Sequence, residues 1–521
     1  GMGAGQLQRV LAFVALAWFP PCASSLHVAF LLPPASPMGA MLPVVHGCLD
    51  AGHNVTLLAF GSYENKLKSM VPKANFVSLG ATLKPDVGER ATELLWSLPY
   101  AVKSLVVHIL LSVGMEALVG FPMASAAKPL LQELKPDVMC VTFLFPSQYA
   151  LGEALGIPVV GLGFGPATML TVADVPWSLE PTLGSWYSRS EIASSAPLVL
   201  LNTATRFLAI PARVLAMVLT NVNALRLGSW RVQASQFESV LANPLVIPSL
   251  PEFTMGYPAM SGPRMVMAGM YDHPALAGAS LAKSEEESEI MAWLGEQHDS
   301  NVDVLYVAFG SEIVLSQRRI DTLRAAFDIA GCTVLWALKK LPVGMRFPPK
   351  VQVVKWTPQK RVLEHPAVKA FLSHGGQNSV REALAAGVPL LIMPVVPDGA
   401  TGAMIHEELG VALRLDKNSP TESIANSISK IFEPRFQVTA DGIKALNDKH
   451  VSLGRAVEVV ELAALRKFPA DLPHPASGVA TVVSTSTLAL AVLGWWMCAR
   501  ACCRCCCRCS RSRNEEKRKS D

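Results

Sequence analysis

Residues Trp356 to Asp398 read WTPQKRVLEHPAVKAFLSHGGQNSVREALAAGVPLLIMPVVPD, and this stretch decides the fold. A short apolar run, Ala370 to Leu372, has the form of a buried strand. It breaks at His374-Gly375-Gly376, and a helical pattern then runs from Asn378 to Ala386, closed by Gly387 and Pro389. A strand, a glycine turn and a helix start gather free backbone N–H groups and the positive end of the helix dipole at one point, where a phosphate can bind. Gly375 and Gly376 let an anion approach the backbone closely. Asn378 or Ser379 could add side-chain hydrogen bonds, and Glu382, one turn in, could accept two ribose hydroxyls. Taken alone, the same pattern also describes a plain β–α connection.

The spacing of the whole stretch resembles the signature of the UDP-glycosyltransferases, which move a sugar from a uridine-diphosphate donor to small lipophilic acceptors. The matching positions are Trp356/Pro358/Gln359, Val362/Leu363/His365/Pro366, His374 to Ser379, Glu382/Ala383/Gly387/Val388/Pro389 and Pro394/Asp398. Val304 to Ser311 is similar to the family's strand and serine turn, and Gly454 to Glu461 to a helix of its membrane-bound members. Leu42-Pro43 and Ala51 to Leu57 resemble the opening of its acceptor domain. The resemblance implies an α/β fold of two facing Rossmann-like domains, the GT-B arrangement, with no cofactor beyond the UDP-sugar donor and no metal.

Alternating strands and helices along the chain point to the same class. Leu26 to Leu32 and Val55 to Phe60 read as strands about a Met38 to Asp50 helix; Val138 to Val141 and Val159 to Gly161 flank a Gln148 to Leu155 helix. Leu98 to Val119 and Pro197 to Leu227 are apolar with helical period, the second interrupted by Pro211. They cover the sheet and line a lipophilic pocket, or else touch a membrane. The expected organisation is a signal peptide over 1–25, an acceptor-binding domain over 26–270, a linker over 271–283 and a UDP-sugar-binding domain over 284–470. A transmembrane helix over 478–499 and a basic, cysteine-rich tail over 500–521 complete it.

Those end segments rest on physical signals. Arg9 followed by the apolar run Val10 to Phe19, then Ala23-x-Ser25, has the form of a cleavable secretory leader. Gly478 to Ala499 is an uncharged stretch of 22 residues with Trp495-Trp496 at interface depth. Eight Lys/Arg against three Asp/Glu follow it, which places the tail in the cytosol and the rest in the lumen. The net charge of +4 arises in that tail, so nucleic-acid binding has no support in the body. Seven of the eleven cysteines, Cys498 at the end of the span and six in the tail, lie beside this membrane exit as candidates for palmitoylation. Lys517 to Asp521 resembles a retrieval signal of endoplasmic reticulum membrane proteins, so a single-pass type I protein of that membrane is expected.

The resemblance implies that Trp356 stacks on uracil, with core packing as the bland alternative for an indole. It implies that Gln359 and Glu382 hold the ribose, that Ser311, His374, Gly376, Asn378 and Ser379 hold the phosphates, and that Asp398 reads the sugar. Two departures stand out. The family follows its acid with Gln and then Asn, whereas Gly399 and Gly402 occupy those positions here. The family's catalytic His falls, fifteen residues before Gly52, on Pro37, and its steadying Asp falls on Thr142. His46, nine residues beyond Pro37 on the same helix, turns to the opposite face and is a poor substitute.

The function expected is therefore inverting, metal-independent transfer of a hexosyl group from a UDP-sugar to a small lipophilic acceptor. Amine acceptors are favoured, because an amine needs no deprotonation before attack. The rival reading is a catalytically silent UDP-sugar-binding membrane protein that acts by associating with itself or with related transferases. A lipid-binding protein on the same fold has only the apolar segments in its favour.

Overall fold

The computed structural model describes residues 25–466 apart from 35, 82–95, 99–109, 164–185, 231–239, 241–242, 251–252, 254–263, 279–284, 311–312, 341–346 and 396. The expected leader (to residue 24), the 478–499 span, the tail and Ser311 lie outside the described residues. Among the described residues no helix is long and apolar enough to cross a membrane.

Two parallel sheets organise the chain. The first has the order β3-β2-β1-β4-β5-β6-β7, with β1 His27–Leu31, β2 Asn54–Ala59, β3 Asn75–Ser78, β4 Val138–Thr142, β5 Val159–Leu162, β6 Leu245–Ile247 and β7 Met265–Met267. The second has the order β10-β9-β8-β11-β12-β13, with β8 Val304–Ala308, β9 Thr333–Ala337, β10 Val351–Val354, β11 Val368–Ser373, β12 Leu390–Ile392 and β13 Ala412–Arg414. The central strands are largely apolar runs, as a parallel strand flanked by helices is buried on both faces. β4, β5 and β8 are buried at every residue.

The strand order reverses between β1 and β4 and between β8 and β11. In such sheets ligands bind beyond the carboxyl ends of the strands at these switch points. Pairing of Phe30 with Cys140 puts Thr142 beside the turn that leads from β1 to Pro37. Pairing of Ser373 with Ala308 puts the His-Gly-Gly turn beside Gly310.

The halves are tied together by packing. Met404 and Ile405, on the helix Pro397–Glu408, join the core on one face of the first sheet. The C-terminal helix Leu453–Ala464 buries Val457, Val459 and Val460 in the core on the other face, against the helix Ser36–Asp50. Trp96 crosses the opposite way into the second domain's core and donates its indole N–H to the Lys417 carbonyl at 3.3 Å. Tyr271, where the sequence reading starts the linker, is itself buried, and its carbonyl accepts from Arg381 at 3.1 Å.

One local expectation is corrected. Pro211 does not interrupt its segment; Ala196–Leu227 is a single helix of 32 residues. Proline removes one hydrogen bond and crowds the carbonyl four residues back. Here the helix packs along Leu110–Gly120, Phe121–Leu134 and Pro146–Leu155, which hold the turns on either side.

Candidate active site

The site is built at the second switch point. Gly310 follows β8 with φ +74°, and Gly375 follows β11 with φ +83°, a conformation that glycine alone adopts without strain. A Cβ at Gly310 would stand 2.8 Å from His374 Cε1, and one at Gly376 would collide with the same ring. The imidazole of His374 is thus wedged between two glycine turns. Among the described residues Nδ1 is buried without a protein partner, and desolvation pushes the ring down to about 4, so His374 is neutral near pH 7. Gly376 is the N-cap of the helix Gln377–Ala386, whose first-turn amides point to the same place. Neutral imidazole and helix amides together suit an anion's oxygens.

The nucleoside end lies beside it. Trp356 follows β10 with 48% of its surface exposed, so the core-packing alternative fails and its face is open to stacking. Gln359 Nε2 donates to Glu382 Oε2 at 2.7 Å and to Ser379 Oγ at 3.1 Å. Burial raises the Glu382 carboxyl above the ordinary carboxylate range, and the Gln359 hydrogen bond pulls it back. Tyr306, on β8, hydrogen-bonds the Thr357 hydroxyl at 2.6 Å and donates to Gln359 Oε1 at 3.4 Å. It stacks on Phe371 with ring centroids 4.7 Å apart. Tyr306 thereby fixes the loop that carries Trp356 and Gln359. In the sequence it reads only as a strand residue, since no spacing rule links it to Thr357.

The two domains meet at Asn378. A Cβ at Gly39, on the helix Ser36–Asp50, would come within 3.1 Å of Asn378 Nδ2. Asp398 falls in the first turn of Pro397–Glu408. Gly399 and Gly402 of that helix lie against the turn: a Cβ at Gly399 would stand 2.6 Å from the His374 carbonyl oxygen, and one at Gly402 3.1 Å from Gln377 Nε2. These glycines remove side chains and also bring the helix backbone down onto the His-Gly-Gly turn.

Thr142 ends β4, fully buried, with Oγ1 accepting from Leu144 N at 3.4 Å. Pro37 lies in the first turn of Ser36–Asp50. The described histidines of the first domain are engaged elsewhere. His27 bonds Thr56 at 2.8 Å, His53 bonds Glu461 at 3.0 Å, and His46 stacks on His273 at 4.7 Å. His108 lies outside the described residues.

A buried carboxyl in this domain escaped the sequence reading. Glu116, on the wide-turned helix Leu110–Gly120, is 2% exposed and caps the helix Pro146–Leu155. It accepts from Ser147 N at 3.2 Å and from the Ser147 hydroxyl, and also bonds Asn223. Burial nonetheless pushes it up to about 8.

Two parallel sheets, each with helices about a switch point, fit the GT-B fold, and solved structures agree. A glycotransferase of kitacinnamycin superposes with TM-score 0.59 at 16% identity, covering 84% of this chain and 99% of that one. The calicheamicin glycosyltransferase CalG4 gives 0.57 at 17% identity, covering 86% and 100%. Residues 250–439 match the UDPGT family, UDP-glucoronosyl and UDP-glucosyl transferase. UDP-glycosyltransferase 74C1 of Arabidopsis thaliana is 34% identical over 166 residues, 29% of this chain and 36% of that protein. Putative UDP-glucuronosyltransferase ugt-60 of Caenorhabditis elegans is 32% identical over 186 residues, 34% of this chain and 37% of that protein. The matched region thus spans about a third of the length of these relatives.

Proposed function

We propose that this chain transfers a hexosyl group from a UDP-sugar to a small lipophilic acceptor, with inversion and without a metal. The observation that carries this reading is the Gln359–Glu382–Ser379 hydrogen-bonded set between exposed Trp356 and the His374 turn. It offers a stacking face for a base, a carboxylate for ribose hydroxyls and a helix start for a diphosphate. In the reaction the acceptor's lone pair forms a bond to the sugar's anomeric carbon while the bond from that carbon to the phosphate oxygen breaks. Helix amides and the neutral His374 then hold the departing charge.

With Pro37 and Thr142 at the dyad positions, an amine acceptor is favoured: it attacks as the free base and releases its proton to water afterwards. The same substitutions favour a second reading, a UDP-sugar-binding protein without turnover that acts through association. Titration of the protein with UDP and several UDP-sugars, followed by a screen of alcohols and amines, separates the two. Binding with transfer to amines supports the first; binding without transfer to either class supports the second. No UDP binding at all overturns both. Pro37→His with Thr142→Asp should raise transfer to alcohols, approaching roughly 10²-fold, and leave amines little changed.

The leader, span and basic tail support residence in the endoplasmic reticulum membrane with the catalytic domains in the lumen. Protease added to sealed microsomes should trim only the tail. Digestion around His374 under those conditions overturns this topology.

A further inference from the structure

The helix Ala196–Leu227 is inside out. Its polar residues Asn202, Thr205, Thr220 and Asn223 are buried, whereas Leu200, Leu201, Phe207, Leu208, Leu215, Val218, Val222 and Leu225 are exposed, Leu200 to 70%. At 100° per residue these exposed side chains fall in one stripe roughly 120° wide, running about 38 Å along the helix. An ordinary surface helix has the reverse arrangement. The neighbouring helix Leu110–Gly120 repeats the inversion, with Glu116 inside, bonded to Asn223, and Leu118 outside, 62% exposed. Large apolar side chains exposed together along one face, rather than scattered singly, mark an interaction surface.

We propose that this face lies on an anionic lipid surface, with the stripe sunk into the boundary between headgroups and acyl chains. Polar groups turned inward and aliphatic groups turned outward fit an apolar surrounding medium. The charge fits as well: the helix carries three arginines and no acidic residue. Arg226 is exposed at the C-terminal end of the stripe, with Trp230, 84% exposed, just beyond it. Lys128 reaches the same end, 3.7 Å from where a Cβ at Gly228 would lie. A tryptophan and cations beside an aliphatic stripe are the groups that settle at headgroup depth. The inference stands apart from the 478–499 span, which would tether the chain without bringing this face down.

The test uses full-length protein in vesicles of neutral and anionic phospholipid doped with a photoactivatable lipid, with adducts located by peptide mass spectrometry. Peptides covering Leu200 to Leu225 should carry lipid adducts. Leu201→Gln/Leu208→Gln/Leu215→Gln/Val222→Gln, checked for fold by circular dichroism and for UDP binding, should lower those adducts about tenfold. A milder variant, Leu208→Gln/Leu215→Gln, gives the same readout if the fourfold change does not fold. Absence of adducts from these peptides while others in the chain are labelled overturns the proposal. Protein–protein adducts joining this helix in two copies, without lipid adducts, overturn it equally and assign the face to a second copy.

Discussion

Gln359 stands 2.7 Å from Glu382, its amide donating to the carboxylate across the gap between the Trp356 loop and the Gln377–Ala386 helix. Burial works against the charge on Glu382, and this one hydrogen bond works for it. The pair therefore offsets part of what burial costs the carboxylate form. Glu382→Ala should weaken UDP binding by about 1–3 kcal/mol, the range for a charged hydrogen bond lost from a buried partner. Gln359→Ala should do the same, and the double variant should lose less than the sum, because each residue acts through the other. Calorimetry on the three variants measures this; strict additivity would show that the two act independently.

His374 should be neutral throughout the physiological range. Its ring is held down to about 4, whereas in the unfolded chain it titrates near the ordinary value of 6.5. Between those values the unfolded chain binds a proton that the fold refuses. The stability it contributes is therefore present above about pH 6.5 and is lost as pH falls toward 4. NMR should show the His374 ring still neutral at about pH 5.5. UDP affinity should show no inflection from this group near 6.5. His374→Ala should cost about 1–3 kcal/mol of UDP binding.

Glu116 gives the opposite slope. Folding raises its carboxyl from 4.5 to about 8, so between those values the folded state holds a proton that the unfolded chain has released. Stability from this group falls as pH rises through that window and levels off above it. Glu116→Gln keeps an acceptor for Ser147 and removes the titration. Chemical denaturation should find the variant more stable than the parent at pH 8 by a few kcal/mol, with the gap closing toward about pH 5.

Restoring the family's glutamine at position 399 should harm the site. A Cβ there would stand 2.6 Å from a backbone oxygen of the His-Gly-Gly turn, which cannot yield as a flexible side chain can. Gly399→Gln should weaken UDP binding and lower stability by about 1–3 kcal/mol through overpacking. Gly402→Asn meets only the end of the Gln377 side chain at 3.1 Å and should be tolerated better. Gly399→Gln with unchanged UDP affinity and melting temperature would show that the helix can withdraw from the turn.

By itself the sequence determined the alternating α/β class and where the His-Gly-Gly turn would sit. Those features are local: apolar run, glycine turn and helix start are consecutive in the chain, and each follows from backbone conformation and burial within a few residues. Tertiary structure alone decided the rest, because the contacts join residues far apart. Tyr306 anchors Thr357 from another strand, and Gly310 admits a histidine 64 positions away. Glu116 finds its partners on two later helices. Pro211 reads as a break, yet three packed helices carry the segment through it. The same packing chose which face of Ala196–Leu227 turns outward. A helical period reports that two faces exist; only the neighbours, by burying the asparagines and threonines, decide which one meets the solvent or the lipid.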